Sequence, residues 1–190
     1  MFLERTPVEE ACENVIDGRT RKDIGREEVY TRSQIALFSH VPDRLRRENL
    51  TAPMTVCSFS LDSAEEEKFD ISFSWSSGGS PFDLGFEDRS SVHQLNPDVA
   101  ISREGTPHET KLWTRCRLRQ APRGQKGEPF SSVLEGSLTD KVGISSLSRT
   151  RLLVESMRRV ADQVDCTNNP NLPSASEIES TFQSEPARKE

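Results

Sequence analysis

The chain has 190 residues and a formal net charge of −6, with 33% hydrophobic and 6% aromatic residues; its pI is about 5.3 and its mean hydropathy −0.66. This acidity argues against nucleic-acid binding by the chain as a whole, because phosphate contacts need a local excess of Lys and Arg. The length permits one domain of ordinary size, and the modest apolar content predicts that its core is small.

Met1-Phe2-Leu3-Glu4-Arg5-Thr6-Pro7 contains no apolar run of signal-peptide length, and no stretch approaches the roughly 18 apolar residues of a membrane span. The expectation is an intracellular protein, cytoplasmic or nuclear, that does not enter a membrane. Cys12, Cys57, Cys116 and Cys166 lie far apart and never form a Cys-x-x-Cys pair, which argues against a zinc ribbon or a thioredoxin-like motif. In a chain that is not exported they are expected to be reduced thiols, and the sequon Asn49-Leu50-Thr51 is expected to be unused.

Residues 1–50 read as a helical N-terminal segment. Val8–Asp17, with Ala11, Val15 and Ile16, suits a short helix, and a second runs from about Arg26 to Val41 until Pro42 stops it. Asp43–Asn49 adds a basic helical turn. Residues 51–120 form a small β-rich region. Phe69, Ile71, Phe73 and Trp75 alternate with Asp70, Ser72 and Ser74, the period of a half-buried strand, and Cys57, Phe59 and Leu61 alternate upstream. The acidic loop 62–68 lets these two runs pair as an antiparallel hairpin. A lone hairpin is marginal in water, so Lys111–Arg119 is assigned as a third strand, with Leu112, Cys116 and Leu118 on one face and Trp113, Arg115, Arg117 and Arg119 on the other.

Residues 76–81 are a breaker cluster, and 121–144 read as a flexible linker rich at its start in Pro and Gly. Residues 145–166 form an amphipathic helix whose stripe is Leu153, Met157, Val160 and Val164, with serines available as caps. Residues 167–190 read as a disordered tail. The fold class is α+β: a small antiparallel sheet with flanking helices and substantial disorder, mostly outside residues 54–119 and 145–165.

Motif spacing points away from catalysis. His40, His93 and His108 form no His-Glu-x-x-His, Ser77-Gly78-Gly79-Ser80 is not a nucleophile elbow, and no glycine-rich phosphate cradle occurs. The leading expectation is therefore a non-enzymatic protein that binds protein partners, with no cofactor and no metal; an enzyme with dispersed catalytic residues is the remote alternative.

Three segments are candidates for binding. Tyr30-Thr31-Arg32-Ser33-Gln34-Ile35-Ala36-Leu37-Phe38 is similar to the Tyr-x-x-x-x-Leu-apolar peptide of proteins that bind the messenger-RNA cap-binding initiation factor, with Ile35 where leucine is usual and Ala36 where a larger apolar residue is usual. The resemblance implies a translational regulator whose short helix docks through Tyr30, Ile35, Leu37 and Phe38. The other reading of these residues is an ordinary helix packing on its own chain. Phe82, Leu84 and Phe86, interleaved with acidic residues, suit a docking peptide or local packing. Lys111, Trp113, Arg115, Arg117 and Arg119 suit either a nucleic-acid face, RNA included, on which the indole stacks, or a solvated strand face. Ser90, Ser91, Ser146 and Ser148 lie near charges in a context that permits phosphorylation.

Overall fold

The computed structural model describes residues 3–32, 38, 40–48, 50–63, 66–76, 81–82, 92–102, 108–119 and 132–183. Eight strands build one antiparallel sheet: β1 (Leu3–Pro7), β2 (Glu28–Arg32), β3 (Met54–Ser60), β4 (Lys68–Trp75), β5 (Val92–Asn96), β6 (Val99–Ser102), β7 (Glu109–Arg115) and β8 (Val133–Asp140). The spatial order is β1-β2-β3-β4-β8-β7-β6-β5. Two four-stranded meanders, β1 to β4 and β5 to β8, thus meet where β8 pairs with β4 at the centre, from Phe69 opposite Asp140 to Trp75 opposite Leu134. Pro7, which has no amide hydrogen, ends the edge strand β1, a place where proline is tolerated.

The helices are α1 (Gly18–Ile24), α2 (Val41–Arg47), α3 (Ser146–Val164) and α4 (Ala175–Gln183). Helix α3 lays Leu153, Met157, Val160 and Val164 onto the sheet, all essentially buried. Beneath it, Phe69, Ile71, Phe73 and Trp75 of β4 and Leu134 and Leu138 of β8 are buried on the same face. Gly136 is the tightest point: a Cβ there would lie 2.8 Å from Phe73, 3.1 Å from Met157 and 3.2 Å from Leu153. Helix α2 extends the cover, its Leu45 carbonyl accepting a 2.9 Å hydrogen bond from the Trp75 indole. The buried carboxylate of Asp140 pairs with Arg149 at 3.3 Å and accepts from the amide of Val142.

The class is α+β, as expected, and the 57–61 and 69–75 runs do form the β3–β4 hairpin. The sheet is larger than expected because five of its strands, β1, β2, β5, β6 and β8, escaped the sequence reading. The segment assigned as a helix from Arg26 contains β2 instead: Val29, Tyr30 and Thr31 pair with β1 on one side and Tyr30 and Thr31 with β3 on the other, and these ladders override a weak local helical pattern. The stretch 8–17 is not an α-helix but holds a 3-10 turn, Ala11–Asn14, with Cys12 and Glu13 in left-handed backbone. Linker 121–144 contains the central strand β8; its residues 121–131 lie outside the described residues. The third strand is β7, but β8 separates it from β4, and regular pairing stops at Arg115.

The tail assigned from 167 is pinned as far as it is described. Thr167 donates its amide to Arg117 at 2.7 Å, Asn96 donates to the Asn171 carbonyl at 2.7 Å, and Ile178 of α4 is buried. Helix α4 begins with a reciprocal cap: the Ser174 hydroxyl accepts from the Glu177 amide, and the Glu177 carboxylate accepts from the Ser174 amide at 2.6 Å. The cysteines depart from expectation as well, since Cys12 is bonded to Cys57 and Cys116 to Cys166, leaving none free. No helix among the described residues is long and apolar enough to cross a membrane.

Candidate functional site

Because strand side chains alternate, the register that puts Phe73, Gly136 and Leu112 under α3 puts their neighbours on the opposite face. One row there runs Ser74, Glu135, Trp113, Ala100; the next runs Ser72, Ser137, Lys111, Ser102; a third runs Asp70, Thr139, Glu109. Lys68, Ser60, Tyr30 and Arg5 continue it toward β1. This face is polar and of mixed charge, with Lys68 paired to Asp70 at 2.7 Å and Arg5 to Glu28 at 2.7 Å.

Its one apolar cluster among the described residues joins Ala100, Trp113 and Val133, with Phe82 and Val92 packed against them. The Trp113 indole N–H donates to Glu135 at 3.0 Å, which fixes the ring edge-on to the acid. Lys111 Nζ stands between Glu109 (3.5 Å) and Glu135 (3.9 Å), and the Ser137 hydroxyl donates to Glu109 at 3.2 Å. The Arg115 guanidinium lies over the Phe82 ring, 4.7 Å from its centroid, the geometry of a cation–π contact. The end of β7 is held from behind. Cys116 is bonded to Cys166, Asn168 donates to the Arg115 carbonyl at 2.9 Å and accepts from the Arg117 amide at 2.8 Å, and the Thr167 hydroxyl donates to the Arg117 carbonyl at 2.8 Å.

Several candidate residues therefore meet here: Phe82, Lys111, Trp113 and Arg115 share one patch. Arg117 and Arg119 are exposed beyond the strand and not part of its ladder. Leu84 and Phe86 lie outside the described residues, as do Ile35, Leu37, Ser90 and Ser91. Tyr30 is half-buried within a strand and not at the head of a helix, and Phe38 is 2% exposed, its ring 6.4 Å from Phe73, so these two do not meet as one helical face. Glu135, which joins Trp113 to Lys111, escaped the sequence reading together with β8.

Two other places have chemistry to describe. A cleft of about 610 Å³ between α3 and α4 is lined by Leu152, Ile178 and charged groups. Its arginines are already committed, Arg151 and Arg19 to Glu179 and Arg158 to Glu155. At the start of α3, the Ser145 and Ser148 hydroxyls both donate to Asp23, at 2.8 and 2.6 Å. The Ser148 hydrogen bond above all holds the Asp23 carboxyl below its usual range, against the opposing effect of burial. Ser146 and Ser148 are thus parts of a helix start, with Ser148 buried. Among the described residues, no three His, Cys, Asp or Glu side chains are grouped to hold a metal ion.

Fold and site together define an α+β domain with one sheet face roofed by helices and an aromatic–arginine cluster on the other. No family model matches the chain, and no curated protein and no solved structure matches it.

Proposed function

We propose that this protein is a non-enzymatic binding module that engages a protein partner through the sheet face opposite its described helices, centred on Phe82 and Arg115 beside the buried Trp113. The observation that carries the reading is the pairing of half-buried Phe82 with Arg115, aromatic and arginine being residue types enriched in interfaces, seated on a Trp113 that is 8% exposed, on an otherwise polar face. The exposed Arg117 and Arg119 beside them favour a partner segment that combines apolar anchors with acidic residues. A nucleic-acid partner is less well supported: Trp113 gives its indole N–H to Glu135, and Lys111 stands between two carboxylates, so this face offers little net positive charge to phosphates.

The test is a photo-crosslinking amino acid placed at Arg117 in the protein expressed in its own cells, with the same group at the exposed Gln163 of α3 as the control. A protein captured at 117, absent at 163 and lost on Phe82→Ala, in a variant that melts like the parent, is the expected result. Identical captures at both positions, or captures indifferent to Phe82→Ala, would remove the face from consideration. RNA recovered from 117 with a steep salt dependence would instead favour the nucleic-acid reading.

A further inference from the structure

We infer that this protein is a substrate of disulfide-forming oxidation and matures in an oxidising compartment, where both cysteine pairs are closed by a dithiol–disulfide oxidant. All four cysteines are used, across 45 and 50 residues of chain, and in each pair the Cα atoms stand 5.0 Å apart. Such spacings cannot be brought together by local structure; only the finished fold does it.

Each bridge joins elements that the sheet's hydrogen bonds leave separate. Cys12–Cys57 ties the 3-10 turn after β1 to β3 in the first meander. Cys116–Cys166 ties the exit of β7 to the end of α3 in the second. Cys57 and Cys116 are 2% and 0% exposed, positions where a free thiol has no evident chemistry to perform and a bridge is protected from reductants. Long loops closed by bridges with one cysteine buried and the other half-buried are the pattern of structural disulfides, and structural disulfides form and persist where the redox poise is oxidising.

In the reaction each pair of thiols loses two protons and two electrons as its S–S bond forms. The oxidant's own disulfide accepts them and leaves as a dithiol.

The experiment takes the protein from its own cells with an acid quench and alkylates it in denaturant, before and after reduction, for intact mass and peptide mapping. No adduct before reduction, four after it, and linked peptides 12–57 and 116–166 are the expected results. Four adducts before reduction, or bridges joining other pairs, would overturn the inference. Fractionation of the same cells supplies the second arm, and correctly bridged protein recovered from the reducing cytosol would overturn the assignment of compartment.

Discussion

Gly136, beneath helix α3, and Ser156, within it, show how differently two small buried residues act. At Gly136 an added methyl would meet Phe73, Met157 and Leu153 at 2.8 to 3.2 Å, and the nearest of these is an aromatic ring atom packed in the sheet. Gly136→Ala is therefore expected to destabilise the fold by about 1–3 kcal/mol through overpacking, read as a lowered urea midpoint with an unchanged m-value. Ser156 is fully buried on α3 and its hydroxyl has no hydrogen-bond partner among the described residues. Removing that hydroxyl takes away an unsatisfied group and adds helix propensity, so Ser156→Ala is expected to stabilise by roughly 0.5–1 kcal/mol in the same assay. A loss of stability there would mean that the hydroxyl is satisfied by something bound beside it. At the candidate site, Phe82→Ala should abolish partner capture while leaving the sheet's pairing intact, since half-buried Phe82 lies outside the strands and outside the main core cluster.

At the scale of elements, helix α3 organises the molecule and its first turn carries a pH signature. Asp23, from α1, accepts hydrogen bonds from Ser145 and Ser148, and its carboxyl is held below the usual aspartate range. A folded-state pKa below the unfolded one means that this stabilisation is complete above roughly pH 4 and is lost as the pH falls through the folded value. Asp23→Asn should thus lower stability at neutral pH and flatten the acid limb of the stability profile between about pH 5 and 3, checked by urea melts across that range. An acid limb as steep as the parent's would show that Asp23 is not coupled to the start of α3. Helix α4 illustrates what a sequence does carry: Ser174 and Glu177 have capping-box spacing behind Pro173, a signal present in the chain and outweighed by the polar composition around it. Strand β8 illustrates the opposite. Its inward set is Leu134, Gly136, Leu138 and Asp140, and the glycine demanded by Phe73 and the carboxylate paired with Arg149 thin its apolar alternation to two residues.

For the whole molecule, the two bridges and the central β4–β8 pairing divide the work of holding two meanders together. Reduction of the protein is expected to cost about 2–4 kcal/mol per bridge, because each closes a loop of some 45 to 50 residues and so limits the unfolded ensemble. Urea unfolding with and without reductant measures it, and coincident curves would show that the bridges are dispensable to the fold. The α+β class, the β3–β4 hairpin and helix α3 were legible in the sequence because each rests on local periodicity: alternation in Phe69 to Trp75 and a helical stripe from Leu153 to Val164. The candidate site was legible only in part. Phe82, Trp113 and Arg115 stood out by type, but their meeting depends on β8 and β6 as neighbours of β7, and pairing between distant strands leaves no local mark. By itself, then, the sequence determined which short segments are amphipathic and of which period. Only the tertiary structure decided that residues 28–32 extend into a strand, that β8 occupies the centre, and that Cys12 meets Cys57 and Cys116 meets Cys166. In each case the deciding energy lies in contacts between residues remote along the chain, which outweigh weak local preference.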